Sequence, residues 1–210
     1  MKQKGVLIVV SGFAGTGKGT LMKRLLSDYD TYALSVSMTT RSPRPGEEHG
    51  REYFFVTKEE FEKKIEEGGL IEHACYCDNY YGTPRDYVEQ KLEEGKNVIL
   101  EIEVQGALKV KERFPDSILI YVLPPSIPEL EKRLIGRGTE TPEVIHRRLS
   151  RATEEIREIQ KYDYIVVNDD LDRCVVQLHS IISSAQARPY YHKEFISRLA
   201  DELAVLMKGE

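Results

Sequence analysis

The sequence predicts an α/β fold, a doubly wound parallel sheet with helices on both faces. Short apolar runs rich in β-branched residues alternate with amphipathic helical patterns along the chain. The first such run, residues 6–10 (VLIVV), leads directly into a glycine-rich turn that opens a helix. Continuous runs of this kind are typical of strands buried on both faces. In such sheets ligands bind beyond the carboxyl ends of the strands, so residues that directly follow the strands are the candidate site residues.

Composition limits the possible functions. The 210 residues, 40% hydrophobic and 31% charged, suffice for one substantial globular unit. A net charge of -5 argues against a nucleic-acid partner, whose phosphates require clustered positive charge. No apolar stretch approaches the roughly 20 residues needed to cross a membrane. We therefore expect a cytoplasmic protein with neither a membrane nor a nucleic-acid partner.

The three cysteines, Cys75, Cys77 and Cys174, are too few for a disulfide framework. His73, Cys75 and Cys77 would share one face of a strand, which leaves a metal site as an alternative. A fourth ligand at suitable spacing is missing, so the metal interpretation is disfavoured.

The glycine-rich turn predicts a phosphate-binding loop. Gly12 is followed after four residues by Gly17 and Lys18, directly after the first strand and at the start of a helix. Backbone N–H groups of such a loop point at phosphate oxygens, and the lysine supplies a cation. The motif normally places Ser or Thr directly after the lysine, whereas here Gly19 intervenes before Thr20. A glycine-rich turn without a ligand is the alternative. The candidate phosphate-binding residues are Gly12, Gly15, Gly17, Lys18, Gly19 and Thr20.

The next stretch predicts an insertion with elements of its own. The predicted strands are residues 33–38, 53–56 and 70–77, and the predicted helices begin near Gly17 and after residues 57 and 83. Thr57 and Glu60 form a capping box, and Thr83 is predicted to cap the helix that has Pro84 in its first turn. Residues 39–50, polar and interrupted by proline, carry Arg41 and Arg44 and predict a functional loop.

Residues 97–103 (NVILEIE) predict a buried strand that ends in Glu101 and Glu103 on one face. Acidic residues at the end of a buried strand, in a chain with a phosphate loop, indicate a position that organises Mg²⁺. Further strands are predicted at residues 118–123 and 164–167, and helices at 126–136, from 142, at 171–185 and in the tail beyond 187.

The helix from residue 142 carries arginines away from its apolar stripe. Arg147, Arg148 and Arg151 form either a solvated face paired with glutamates one turn away or, for Arg148, part of a site. A phosphate loop, a strand ending in acids and several arginines together indicate phosphoryl transfer. No residue stands out as a general base, which favours an acceptor that is itself a phosphate.

The sequence closely resembles the guanylate kinase family over residues 5–185. The motifs that carry the resemblance are GFAGTGKGT at residue 12, SVSMTTRSPRPGE at 35, REYFFV at 51, LIEHA at 70, NYYGTP at 79, VILEIEVQGA at 98, GRGTETPEVIHRRL at 136 and IVVNDD at 165. The resemblance implies a P-loop kinase core with an inserted GMP-binding domain and a helical lid. It also implies transfer of the terminal phosphate of ATP, with Mg²⁺, to GMP, in guanine nucleotide biosynthesis and salvage.

The resemblance implies roles for matching positions. Lys18, Arg137 and Arg148 would act on the transferring phosphoryl group, the two arginines from the lid, and Asn168 would lie near adenine. The substrate-binding residues would be Ser37, Glu72 and Thr83 for guanine, Arg41, Arg44, Tyr53 and Tyr81 for the GMP phosphate, and Glu47, Glu101 and Glu103. Thr20 and Glu101, directly or through water, would hold Mg²⁺. The core would be residues 1–36, 93–136 and 158–187, the GMP-binding insertion 37–92, the lid 137–157 and a helical extension 188–210.

Two features depart from the family's pattern. Phe13 and Ala14 stand where proline and serine are common, and Glu103 stands where aspartate is usual, which carries its carboxylate one methylene further. A phosphopeptide-binding scaffold of the same fold is one alternative, disfavoured by the intact loop and Lys18; a kinase of another phosphorylated acceptor is a second. The choice between GMP and dGMP, a monomer or homodimer, and the role of the tail stay open.

Overall fold

The computed structural model describes residues 4–76, 78–136 and 141–208. The strands are β1 Leu7–Gly12, β2 Tyr32–Leu34, β3 Ser37–Thr39, β4 Tyr53–Phe55, β5 Leu70–Tyr76, β6 Asn79–Pro84, β7 Asn97–Glu101, β8 Ile118–Leu123 and β9 Tyr164–Val167. The helices are α1 Lys18–Asp28, α2 Lys58–Glu66, α3 Arg85–Glu93, α4 Val104–Arg113, α5 Ile127–Gly136, α6 Pro142–Glu155, α7 Leu171–Gln186 and α8 Lys193–Lys208. Short 3₁₀ helices lie at Ile156–Lys161 and Pro189–His192.

The core is a five-stranded sheet in the order β2-β7-β1-β8-β9, in which every neighbouring pair is parallel. Alternate residues of β1 point to opposite faces. Ile8 and Val10 pack with α1 and α7, whereas Leu7 and Val9 pack with α3 and α4. The predicted fold class, a parallel sheet covered on both faces, is confirmed. The strand order changes direction on either side of β1, so the carboxyl end of β1 is the expected ligand site.

A second sheet of four strands, in the order β4-β3-β6-β5, lies within residues 37–84. It packs against α2 through Phe61, which is fully buried beside Met38 and Leu70 and stacks on Tyr80. The predicted capping box at the start of α2 is confirmed, because Thr57 and Glu60 each accept the other's backbone N–H. The following helix, α3, packs on the core sheet through Val88 and Leu92.

The prediction of one strand over residues 33–38 is wrong. The pairing of β2 with β7 ends at Leu34, where the N–H of Ser35 still donates to the carbonyl of Ile99. The chain then crosses to the second sheet, where Ser37 pairs with Tyr53. Residues 33–38 show a single strand pattern in the sequence because β2 and β3 are two short strands that follow each other closely, although they belong to different sheets. Ser37 thereby begins the second sheet instead of ending a core strand.

The prediction of a strand through Glu103 is also wrong. Strand β7 ends at Glu101, and Glu103 is the N-cap of α4, a helix that the sequence analysis missed. Its carboxylate accepts the N–H of Gly106 at 3.2 Å, since a carboxylate satisfies the unpaired donors of a first helical turn. The two glutamates therefore belong to different elements and do not share one face of a strand.

The tail forms the predicted amphipathic helix, α8. Its apolar stripe, which includes Phe195, Leu199, Leu203 and Leu206, is exposed to solvent. The preceding 3₁₀ helix is tied to the core, since the hydroxyl of Tyr191 donates to the carbonyl of Asp116. No helix in the described part of the chain combines the length and apolar character needed to cross a membrane.

Candidate active site

The glycine loop between β1 and α1 adopts the geometry of a phosphate cradle. Gly15 and Gly17 have φ angles of 90° and 86°, which side-chain-bearing residues rarely adopt. A Cβ on Gly17 would also lie 2.6 Å from Nδ2 of Asn168. The Lys18 ammonium donates to the carbonyls of Gly12 and Phe13, folding across the loop. Gly19 and Thr20 are exposed on the first turn of α1, where N–H groups favour anions.

The loop is held in place from two sides through one carbonyl. The side-chain amide of Asn168, which follows β9, donates to the carbonyl oxygen of Thr16 at 2.7 Å. Arg133 of α5 donates to the same oxygen at 3.5 Å and to the carbonyl of Asn168 at 3.1 Å. Asn168 lies beside the loop, as expected for a nucleotide-site residue, and its amide nitrogen supports the loop. Sequence reasoning missed Arg133, although it lies four residues before the predicted lid arginine.

Phe13, which departs from the family's pattern, is a buried anchor of the loop. It is 2% exposed and meets the ring of Tyr121 edge to face, with 5.4 Å between centroids. The hydroxyl of Tyr121 in turn donates to Glu155 of α6 at 3.1 Å. The loop therefore gains an apolar attachment to the core at this position.

A cluster around Arg41 on the inserted sheet, here called the Arg41 pocket, is a candidate second anion-binding place. Arg41 donates through Nη2 to both carboxylate oxygens of Glu47, each at 2.9 Å, and the backbone N–H of Arg44 donates to the same carboxylate at 2.7 Å. The Arg44 N–H and the Arg41 guanidinium lower the pKa of Glu47, so this carboxylate is ionised and clamps the loop. Glu47 thus positions Arg41, and the side chain of Arg44 is exposed.

Two tyrosines complete this pocket. The Arg41 guanidinium lies 5.5 Å from the centroid of the Tyr53 ring, and Tyr53 meets Tyr81 edge to face at 6.0 Å. Burial raises the pKa of the Tyr53 hydroxyl, and the nearby Tyr81, Glu47 and Glu101 raise it further. A neutral hydroxyl beside an arginine is a suitable pair of donors for a phosphate.

Glu101, the last residue of β7, is linked electrostatically to both groups of side chains. Strand pairing puts it opposite Val10, two residues before the loop begins. The surrounding protein raises the pKa of Glu101 by displacing water, and the positive charge of Lys18 opposes this shift. The charge of Glu101 in turn helps to raise the pKa of Tyr53 on the inserted sheet.

The predicted guanine residues include a buried carboxylate. Glu72 of β5 is 6% exposed and accepts a 2.8 Å hydrogen bond from the hydroxyl of Thr83 on β6. Burial raises the pKa of Glu72, and the Thr83 bond opposes the rise. The prediction that Thr83 caps α3 is wrong, because its side chain points to Glu72 and the N-cap is Pro84 with no side-chain bond. Ser37 lies partly buried on β3 in the same sheet.

The lid region is described in part. Arg137 lies outside the described residues, whereas Arg148 is partly buried on α6. Arg151, one turn further along, donates to Glu103 at 3.0 Å and to Glu155 at 3.1 Å. The sequence analysis assigned Arg151 only to a solvated face with nearby glutamates. Its bond to Glu155 agrees with that interpretation, and its bond to Glu103 connects α6 to the N-cap of α4.

Oxygen ligands for Mg²⁺ are available next to the loop. Thr20 offers a hydroxyl on the first turn of α1, and Glu101 a carboxylate near Lys18. Both are hard oxygen donors of the kind Mg²⁺ takes alongside water and substrate phosphates. Among the residues that the structure describes, no three His, Cys, Asp or Glu side chains form a metal-binding group, and Cys77 lies outside them.

A glycine-rich loop that ends in lysine, at the switch point of a doubly wound parallel sheet, is typical of the class of P-loop kinases. The sequence profile described as Guanylate kinase matches residues 4–185. The guanylate kinase of Oceanobacillus iheyensis is 48% identical over 97% of this chain and 100% of its own length. That of Caldanaerobacter subterraneus is 46% identical over 96% and 98%. The crystal structure of guanylate kinase from Anaplasma phagocytophilum has a TM-score of 0.71 at 34% identity, covering 89% of both chains. The chain belongs to the guanylate kinase family.

Proposed function

We propose that this protein transfers the terminal phosphate of ATP to GMP, giving ADP and GDP. The observation that carries the proposal is that Glu101 interacts electrostatically both with Lys18 of the glycine loop and with Tyr53 beside Arg41. Two candidate anion-binding places near one strand end suit a donor and an acceptor that both carry phosphate. Family membership supports the same reaction.

In this proposal the loop N–H groups and Lys18 bind the donor's phosphates. The Lys18 ammonium, which donates to loop carbonyls here, exchanges those partners for phosphate oxygens. Arg137 and Arg148 come from the lid and stabilise charge on the transferring group, for which the planar guanidinium is well suited. Asn168 and Arg133 keep the loop in position through the Thr16 carbonyl.

Mg²⁺ with ATP belongs to the proposal. Thr20 and Glu101, directly or through water, are the residues that would hold it. When bound, the ion supplies positive charge that neutralises the donor phosphates and orients them.

Acceptor recognition is divided between phosphate and base. Arg41, Arg44, Tyr53 and Tyr81 bind the GMP phosphate, with Glu47 fixing Arg41. The acceptor phosphate is already anionic at neutral pH, so the transfer needs no general base. Ser37, Glu72, Thr83 and Glu103 form the base subsite. The ionised carboxylate of Glu72 can accept both adjacent guanine donors, N1–H and N2–H, whereas adenine offers neither.

Thr83 has a more limited role than its hydroxyl suggests. Its single proton is donated to Glu72, so the hydroxyl orients that carboxylate and leaves its own oxygen as an acceptor. Donation to the guanine O6 would require the hydroxyl to turn away from Glu72.

The test is the identity of the product. Purified protein with Mg²⁺, GMP and ATP labelled at the terminal phosphate should yield labelled GDP, and Lys18→Ala should yield almost none at the same concentration. Absence of labelled GDP from the parent protein, or equal yields from both proteins, would overturn the proposal. The proposal includes a cytoplasmic setting, with dGMP as a further candidate acceptor and a monomer or homodimer as the active form.

A further inference from the structure

Helix α6 contacts the proposed acceptor subsite through the side chain of Arg151. Arg151 donates through Nη2 to Glu103 Oε2 at 3.0 Å and through Nε to Glu155 Oε1 at 3.1 Å. Glu155 is itself held by the hydroxyl of Tyr121, a fully buried residue of β8. The bond to Glu155 therefore ties the Arg151 guanidinium to the core, and the same guanidinium also contacts Glu103.

Glu103 and Glu72 lie on either side of the first turn of α4. The N–H of Gly106 donates to Glu103 Oε1 at 3.2 Å, and a Cβ on Gly106 would lie 3.0 Å from Glu72 Oε2. The charge of Glu103 raises the pKa of Glu72, a smaller effect than that of burial. Two neighbouring carboxylates repel each other, and a cation at one of them relieves that repulsion.

We propose that Arg151 is a positioning residue of the guanine subsite, which fixes the Glu103 carboxylate and balances its charge beside the buried Glu72. The proposal rests on the proposed function, because it assigns these carboxylates to the acceptor base.

If Arg151 only stabilised the fold, its loss would change the melting temperature and not the binding of GMP. The pair is exposed, with 43% and 37% of the Arg151 and Glu103 side chains accessible, and such ion pairs contribute little to stability. Loss of the guanidinium should therefore leave the melting temperature nearly unchanged. It should instead weaken the acceptor, whose base faces the two carboxylates, and spare ATP, whose phosphates bind at the glycine loop.

The test compares Arg151→Ala and Arg151→Lys with Arg147→Ala, a matched control that removes an exposed arginine from the same helix. We expect Arg151→Ala to raise KM for GMP about 5- to 20-fold, with kcat and KM for ATP within about twofold. Arg151→Lys should recover part of the loss, since lysine keeps the charge without the fork. Arg147→Ala should stay within about twofold of the parent in every constant. A KM for GMP within twofold in Arg151→Ala, or an equal effect in Arg147→Ala, would overturn the inference.

A double-mutant cycle tests the route through Glu103. In a Glu103→Gln background, Arg151→Ala should change KM for GMP less than twofold, because the partner charge is gone. Multiplying effects would mean that Arg151 acts independently of Glu103. Calorimetric measurement of GMP binding by the parent protein distinguishes failure of the proposed function from failure of the Arg151 proposal. A parent that neither binds nor phosphorylates GMP refutes the proposed function, whereas an active parent with an unaffected Arg151→Ala variant refutes only the inference.

Discussion

Replacement of Glu72 by glutamine tests the proposed base recognition at a single atom. The side chain is 6% exposed and accepts one hydrogen bond, from Thr83 at 2.8 Å. Glutamine keeps the shape and can still accept that bond through its amide oxygen, so the fold should be retained. The amide nitrogen then occupies the other carboxylate position and presents a donor to a guanine donor.

The expected loss follows from one unpaired buried donor and the lost charge. Such a mismatch costs roughly 2 to 4 kcal/mol of transition-state binding, which corresponds to a fall of about 30- to 1000-fold in kcat/KM for GMP. The poor activity on AMP should change little or improve, because adenine N1 can accept from the new amide. Glu62→Gln makes the same chemical change at an exposed position of α2, away from the site. It should leave kcat/KM for both GMP and AMP unchanged. An unchanged ratio of kcat/KM for GMP and AMP in Glu72→Gln would remove Glu72 from the base subsite.

The pH dependence gives an independent check of the same residue. Burial raises the pKa of Glu72 above its ordinary value of 4.5, and only the ionised form accepts both guanine donors. Thus kcat/KM for GMP should fall as the pH drops through this raised pKa, and Glu72→Gln should lose that part of the profile. The effect of this group on the free energy of unfolding has the opposite pH dependence to its effect on kcat/KM. The folded state binds the proton of Glu72 more tightly than the unfolded state, so the contribution of this group to stability is lost as the pH rises from 4.5 through its raised pKa. Identical acid limbs in parent and variant would contradict the assignment.

Three further predictions concern the donor site, the lid and the tail. Lys18→Ala should nearly abolish turnover while sparing GMP binding, measured by calorimetry, because Lys18 lies in the glycine loop and GMP on the inserted sheet; turnover within threefold of the parent would contradict this. Alanine at Arg137 or Arg148 should lower kcat far more than it raises either KM, and a raised KM with intact kcat would instead indicate ground-state binding. Deletion of residues 193–210, which removes α8, should leave the phosphorylation of GMP intact. Deletion of residues 188–210 also removes Tyr191 and its bond to Asp116, so it should lower the melting temperature. If the protein without residues 193–210 were folded but inactive at all protein concentrations, α8 would belong to the site.

The centre of the core sheet was predictable because β1 and β8 are buried on both faces. Such strands must be continuous apolar runs, and residues 6–10 and 118–123 match β1 and β8 closely. The edge strand β9 also matches its predicted residues 164–167, although Ile165 and Val167 are exposed. Prediction failed where the same apolar pattern served two partners. Residues 33–38 read as one strand although they divide between two sheets, since hydrophobicity records burial and not the strand against which a residue pairs.

The candidate site was predictable only in part, for a similar reason. The loop residues and the Arg41 segment stand in contiguous motifs whose spacing indicates phosphate binding. Glu103 was a predicted site residue, but its bond to Arg151, 48 residues further along the chain, was not predicted. Arg133 likewise bonds the distant carbonyl of Thr16, and nothing local to the sequence marks such pairs. Thr83 had a plausible local partner, the helix at Pro84, and instead bonds Glu72 across the strand pair.

Phosphorylation of GMP by this protein is tested most directly by measuring ADP formation from Mg-ATP with GMP, AMP, CMP and UMP in parallel. We expect rapid GMP-dependent ADP release. The value of kcat/KM for the other three acceptors should be lower by a factor on the order of 10⁴, which is the discrimination that unpaired buried polar groups can support. Comparable rates with AMP, or ADP release that does not depend on GMP, would contradict it.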